Sequence, residues 1–115
     1  MKAICKTQPG VGLAVRDVPE PSLGKREVLV RVTRSSICGT DLHIYQWDSW
    51  ASSRLKPPLI VGHEFCGFVV AVGDEVEHVQ VGEFVAAESH IVCGYCKPCR
   101  LGQAHVCLNT RILGV

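Results

Sequence analysis

The chain has 115 residues, a formal net charge of +1 and 47% hydrophobic residues. That length allows one domain with a real core, and the near-zero charge supplies no field that would draw nucleic acid or anionic lipid. No apolar run approaches the ~18 residues of a membrane span.

In chain order, Lys2 to Cys5 predicts a short strand. Gly10 and Gly12 turn the chain, and Leu13 to Val15 pairs back as a hairpin. Gly10-Val-Gly12 is no dinucleotide fingerprint, because Val15 stands where the next glycine belongs. Glu27 to Thr33 predicts a strand with Val28, Val30 and Val32 on one face. Gly39-Thr40-Asp41 reads as a turn into a short helix that runs to about Tyr45. Trp47 and Trp50 fall in a loop ending at Pro57-Pro58, and Leu59 to Val61 leads into Gly62-His63-Glu64. Phe65 to Val72 is nearly all apolar and predicts a strand buried on both faces. Gly73-Asp74 and Val81-Gly82-Glu83 are turns, Phe84 to Ala87 is a further strand, and Arg111 to Val115 begins an apolar segment with an unpaired edge near Leu113. Short strands, glycine turns and little helix predict a mainly β, barrel-like domain.

Seven cysteines without a secretory signal point to a reducing cytoplasm and to metal chemistry. Cys93, Cys96 and Cys99 stand three apart, and Cys107 comes after a seven-residue spacer. Four such thiols suit a tetrahedral structural zinc, in a lobe of about residues 89–110. Disulfides would need an oxidising compartment. His105 is an alternative fourth ligand to Cys107, but four thiolates are the simpler set. Cys38, His63 and Glu64 form a second metal-capable set near strand or turn ends. An open zinc site uses about three protein ligands. Spacing alone does not bring Cys38 to His63, and a buried thiol and a surface carboxylate are the plain alternatives. A non-enzymatic zinc module, needing one metal, is the reading from another class. Cys5 and Cys66 read as buried thiols and His78 as exposed, while Cys66 shares strand parity with Glu64.

Cys38-Gly-Thr40-Asp41, Gly62-His63-Glu64 and the four-thiol lobe, in this order and spacing, resemble the zinc-dependent medium-chain alcohol dehydrogenases over nearly the whole chain. The run Ser36 to Tyr45, with Trp47, Trp50, Ser89-His90 and the ending Asn109 to Val115, is similar to the threonine-oxidising branch of that family. Polyol and butanediol branches share much of the motif and are the runner-up.

The resemblance implies a GroES-like β-barrel catalytic domain with short helices, truncated here, and succeeded in the family by a Rossmann domain that binds NAD. No G-x-G-x-x-G unit occurs in residues 1–115, so the chain alone is expected to be inactive. The resemblance implies two zinc ions per subunit, the catalytic one at Cys38, His63 and Glu64 and the structural one at Cys93, Cys96, Cys99 and Cys107. Glu64 would be a movable ligand that swaps with water. Thr40 and His43, three apart on a helical turn, would relay a proton; by themselves they read as a helix cap and a surface histidine. His90 would face the substrate. Expected partners are L-threonine, oxidised at its 3-hydroxyl to 2-amino-3-oxobutanoate, and three further copies in a homotetramer. Sorbitol and 2,3-butanediol are the alternative substrates.

Overall fold

Strands dominate the computed structural model, which describes residues 1–115. The first sheet has the order β2-β1-β4 and is formed by β1 (Lys2–Lys6), β2 (Ala14–Asp17) and β4 (Leu59–Ile60). The second has the order β3-β5-β6 and is formed by β3 (Val28–Ser35), β5 (Phe65–Val72) and β6 (Phe84–Ala86). A two-stranded ribbon joins β7 (His90–Ile91) to β8 (Arg111–Ile112). All pairings are antiparallel. The sheets do not close on one another, so the barrel is a loose one. No helix is long and apolar enough to cross a membrane.

The hairpin of β1 and β2 forms where its glycines predict it. Gly10 and Gly12 both have φ of +113°, a conformation that costs glycine little. Its inner corner holds a residue the sequence did not single out. Lys6 is only 1% exposed. Its ammonium donates to the carbonyl oxygens of Gly10, Gly12 and Tyr45 and lies 4.9 Å from the centre of the Trp47 ring. Burial lowers its pKa from the ordinary lysine value. Three carbonyls and a ring face compensate a charge taken out of water, and they tie the hairpin to the end of the first helix.

That helix, α1 (Gly39–Gln46), ends at Trp47, which takes the left-handed conformation with φ 57° and ψ 44°. The chain reverses there. Asp48 then caps a second helix, α2 (Ser49–Arg54), by accepting the Ala51 N–H at 3.0 Å. This corrects the loop expected around Trp47 and Trp50. Asp48 supplies the capping signal, and Ser49 to Arg54 is compatible with one and a half turns.

One strand expectation also changes, that of β5. The β3–β5 register shifts between Leu29 and Val30 and again between Val32 and Arg34. The extra residue of the first bulge is Val70 of β5 and that of the second is Thr33 of β3, so Val28, Val30 and Val32 keep the common parity expected of them, half-buried at Val28 and Val30 and 52% exposed at Val32. In β5, Gly67 and Val69 are buried while Phe68 and Val70 are exposed, so one face of this strand is covered. Gly67 has a steric reason: a Cβ there would lie 2.2 Å from the Arg31 carbonyl oxygen, across the bulged pair. Residues 111–113 are held along one side, through β7 and through the Leu113 N–H on the Ser89 carbonyl at 3.0 Å.

Nine residues of the chain are fully buried, so each buried apolar side chain carries a large share of the packing. Ile44, at 0% exposure, is the anchor of α1. Ile44→Ala should lower unfolding free energy by about 2–5 kcal/mol, the range for emptying an enclosed aliphatic site. Urea denaturation tracked by circular dichroism measures it, and a change within about 0.5 kcal/mol, the scale of an ordinary surface substitution, would show that Ile44 does not hold α1.

Candidate metal centres

The register of β3 and β5 builds the first centre. Ser35, the last residue of β3, pairs with Phe65, the first of β5. Antiparallel pairing therefore sets the segment after β3 beside the segment before β5. Cys38 lies three residues beyond one end, and His63 and Glu64 lie just before the other. The Ser36 N–H and the Ser35 hydroxyl both donate to the Glu64 carbonyl oxygen, at 3.0 and 3.1 Å, and extend the pairing past the strand ends. The Ser36 hydroxyl donates to Glu64 Oε2 at 2.6 Å.

Helix α1 fixes Cys38. Cys38 is its N-cap residue, and its N–H donates to Asp41 Oδ2 at 2.8 Å. Asp41 is three residues on, the spacing of a capping box. That spacing is visible in the sequence, but nothing there gives Asp41 a part in the site. Its other oxygen, Oδ1, lies 3.7 Å from His63 Nδ1. Both atoms are buried and neither has a hydrogen-bond partner.

Ligand atoms of Cys38, His63 and Glu64 lie within 4.8 Å of one another. Thiolate, imidazole and carboxylate are a zinc donor set. The orphaned His63 Nδ1 facing a buried carboxylate matches the outer support that ligating histidines receive. The residues therefore fit a zinc ion. A cleft of about 470 Å³ opens beside Cys38 and over the other two, lined by Ser36, His63, Glu64, Cys66, Glu88 and Ser89 among others. Cys66 is half-buried here, not a core thiol.

Thr40 Oγ1 stands 3.7 Å from Cys38 Sγ. Thr40 is not the cap of α1; Cys38 is. His43 is exposed, as its surface reading expected, but it is not solitary: Nδ1 meets Asp48 Oδ2 at 2.5 Å. His90 opens β7, exposed, with Nδ1 on Glu88 Oε1 at 2.6 Å. Glu88 lines the cleft, and its carboxyl is held below the usual range, first by the His90 ring and then by the His90 N–H. His90 joins neither metal cluster. His78 is exposed.

The second centre is the cysteine lobe. Sγ atoms of Cys93, Cys96, Cys99 and Cys107 lie within 4.8 Å of one another. Cys96–Cys107 and Cys107–Cys93 separations are 3.8 and 3.6 Å. Four thiolates at ~2.3 Å from a zinc ion stand ~3.8 Å apart, whereas a disulfide needs ~2.05 Å. The cage therefore fits a zinc ion and holds no disulfide. His105 is outside the cluster.

Backbone geometry makes the cage. Gly94 and Gly102 take positive φ at its two turns. Cys96 caps α3 (Lys97–Arg100), which carries Cys99, and a 3₁₀ turn at Ala104–Val106 delivers Cys107. N–H groups then point at sulfur: Cys96 N on Cys93, Cys93 N on Cys107, and Asn109 N on Cys107, at 3.3–3.4 Å. Asn109 Nδ2 also reaches Cys93 Sγ at 3.6 Å, a contribution that the sequence pattern does not announce.

These donors separate the thiols. Burial opposes ionisation of Cys93, but the Asn109 side chain and the N–H groups of Cys96 and Tyr95 outweigh it and bring the thiol to about 6. Cys107 is lowered chiefly by the Cys93 N–H. Burial, then the neighbouring sulfurs, pushes Cys99 up to about 12. Near neutral pH this favours a thiolate at Cys93 and a proton on Cys99, a proton that metal binding must displace.

A matched family and several relatives share this arrangement of sequence. The family described as alcohol dehydrogenase GroES-like domain matches residues 24–115. L-Threonine 3-dehydrogenase of Pyrococcus horikoshii is 56% identical over all of this chain and 33% of that protein. L-Threonine 3-dehydrogenase of Bacillus subtilis is 54% identical, with the same coverage. An Escherichia coli alcohol dehydrogenase solved with NADH superposes with a TM-score of 0.84 at 39% identity, over 100% of this chain and 32% of that one. The chain thus spans about a third of the length of the curated relatives it matches.

Each centre should bind and release its own metal. Cys38→Ser should remove one zinc and Cys96→Ser a different one, with the thiolate cage the slower of the two to yield to a chelator because it is closed. Elemental analysis decides it; loss of the same single metal in both variants would reduce the two centres to one. Zinc capture by the metal-free protein should slow as pH falls through about 6, because protonation removes the Cys93 thiolate and the thiolate is the form that ligates metal. Stopped-flow transfer from a coloured chelator reads this, and a rate that stays flat on both sides of that pH would contradict it.

Proposed function

This chain belongs to the alcohol dehydrogenase GroES-like domain family of the zinc-dependent medium-chain dehydrogenases, and we propose that it is the N-terminal catalytic region of an NAD-linked L-threonine 3-dehydrogenase. The observation that carries the reading is the convergence of Cys38, His63 and Glu64, with His63 and Glu64 lining the cleft. Its substrate branch rests on the identity to the two threonine dehydrogenases over every residue of the chain. The seven free thiols suit a reducing cytoplasm.

When bound at Cys38, His63 and Glu64, zinc supplies Lewis-acid polarisation of a substrate hydroxyl, here the 3-hydroxyl of threonine. NAD supplies the hydride acceptor, and its site lies outside residues 1–115 in this reading, on a Rossmann domain. The chain's own residues do the rest. Asp41 orients His63 and, through the Cys38 N–H, the thiolate. Ser36 holds the Glu64 carboxylate at the edge of the cleft, so that this ligand can exchange with water. Thr40, beside the Cys38 sulfur, receives the hydroxyl proton. His43, one turn along α1 and open to solvent, passes it out. His90 and Glu88, at the cleft's rim, face the ammonium and carboxylate that distinguish threonine from a diol. The large apolar side chains left exposed, such as Ile37 at 79%, face the remainder of the protein and its copies in a homotetramer.

Steady-state oxidation of L-threonine, sorbitol and 2,3-butanediol by the protein carrying this region tests the reading. Threonine should win by a wide margin in kcat/KM, since a site built for polar groups rejects substrates lacking them. Preference for a diol would move the assignment to the polyol branch, and no oxidation with two zinc ions bound would leave a zinc module. His43→Ala should lower kcat by roughly 10²–10⁴, the usual scale of acid-base catalysis, with zinc content unchanged.

A further inference from the structure

His43 has a partner that neither its spacing nor the proposed relay assigns. The left-handed turn at Trp47 folds the chain back, so that Asp48 lies under the helix that carries His43. The N–H groups of Trp47 and Asp48 both donate to the His43 carbonyl oxygen, at 2.9 and 3.4 Å. Asp48 Oδ2 meets His43 Nδ1 at 2.5 Å while Oδ1 caps α2 on the Ala51 N–H at 3.0 Å. The two functions use different oxygens, and the capped helix end fixes the carboxylate in place. The other flank of the ring lies against Trp50, with centroids 5.8 Å apart at 49°. Arg54, on the same helix, is drawn over the Trp50 ring, 5.5 Å from its centre. Thr40 is the neighbour on α1. Asp48 is the only charged group in hydrogen-bond contact with the imidazole.

We propose that Asp48 is a positioning residue for the proton relay: it locks neutral His43 in the tautomer with hydrogen on Nδ1, leaving the Nε2 lone pair as the single proton acceptor on the outward path from Thr40. An ionised carboxylate only accepts hydrogen bonds, so the nitrogen facing it must be the donor. Asp48 is ionised at working pH, since the Ala51 N–H and then the His43 ring hold its carboxyl below the usual range. No other group engages Nε2. A ring free to flip or to change tautomer would offer Nε2–H, which cannot take a proton, for part of the time. The Asp48 contact and the Trp50 face remove both freedoms. The logic is that of a base whose second nitrogen is oriented by a carboxylate, placed on a helix-loop-helix elbow. The inference rests on the relay of the proposed function.

The informative variants are Asp48→Ser and Asp48→Asn. Serine and asparagine both cap helices well, so α2 is retained. Serine is too short to reach His43, whereas asparagine can still accept from Nδ1 without charge. ¹⁵N-histidine labelling of the zinc-loaded protein at about pH 8.5, where free imidazole is neutral, reads the tautomer directly; His43→Gln assigns the signal. Wild type should show protonated Nδ1 and bare Nε2, and Asp48→Ser should show a mixture or the reverse. In turnover, Asp48→Ser should lower kcat roughly ten- to a hundredfold, the scale for losing a partner that orients an imidazole, with KM and zinc content little changed. Asp48→Asn should recover part of that loss. A wild-type His43 with hydrogen on Nε2, an unchanged tautomer in Asp48→Ser, or an unchanged kcat would each overturn the proposal. Failure of the function itself looks different. If a diol, not threonine, is the substrate, the tautomer and the kcat loss appear with that diol and only the substrate assignment falls.

Discussion

The antiparallel register of β3 against β5 is the constraint on which the rest depends. It matches Ser35 to Phe65, and so brings Cys38 and the pair His63-Glu64, some twenty-five residues apart in the chain, to one place. A slip of one residue would turn every side chain of a strand to the other face and would separate the ligands. One of the two bulges stands between the strand middles and the site, and Gly67 is the residue that lets the strands approach there. The serines at the end of β3 then continue the register onto Glu64 by backbone and hydroxyl bonds. The lobe is tied to the same point. Gly114, beyond β8, sits so close to Gly62 that a Cβ would lie 2.1 Å from the Gly62 oxygen. The residue before His63 is therefore packed against the chain that returns from the cysteine cage.

Asp41 shows how a thin core positions ligands. One carboxylate oxygen caps the helix at Cys38 and the other faces His63. Two residues from different elements are thus oriented by one buried group. Apolar packing does little of this locally: on α1 only Asp41 and Ile44 are buried. Lys6 plays a comparable part at the opposite end of α1, where its ammonium gathers the carbonyls of the hairpin and of Tyr45. Buried polar groups with several defined partners specify one arrangement more sharply than aliphatic contacts do. Here they bracket the helix that bears Thr40 and His43.

The strands at Lys2–Lys6, Phe65–Val72 and Phe84–Ala86, the helix from Gly39 and the four-thiol cage are legible in the sequence because each has a local cause: alternation, a glycine turn, a cap, or a short thiol repeat. The convergence of Cys38 with His63 is legible only through resemblance, since register is a long-range property. Helix α2 escapes because two tryptophans and three serines read as loop, while its signal is the single Asp48 cap. The faces of β5 are misread because an apolar strand with one exposed face reads like one buried on both. Lys6, Asn109 and the contact of Asp48 with His43 have no legible signal, since each acts on an atom brought to it by a turn.

The cysteine lobe and the cleft handle protons in opposite ways. In the lobe, N–H donors from Asn109, Cys96 and Tyr95 favour charge on Cys93 while burial keeps a proton on Cys99. An ion that takes four thiolates is fully coordinated, so a cage of this kind leaves no position to exchange. At the cleft the donors are of three kinds, and one of them, Glu64, has a second partner in Ser36. A ligand with an alternative partner can leave the metal without stranding a charge. The same comparison separates the histidines. His63 is buried with Nδ1 turned to a buried carboxylate, an arrangement suited to holding a position. His43 and His90 are exposed and paired with carboxylates through Nδ1, which leaves Nε2 of each without a protein partner. Burial therefore divides one residue type into an enclosed histidine and two open ones, and the chain makes that division with turns at Gly62 and Trp47, where φ is positive.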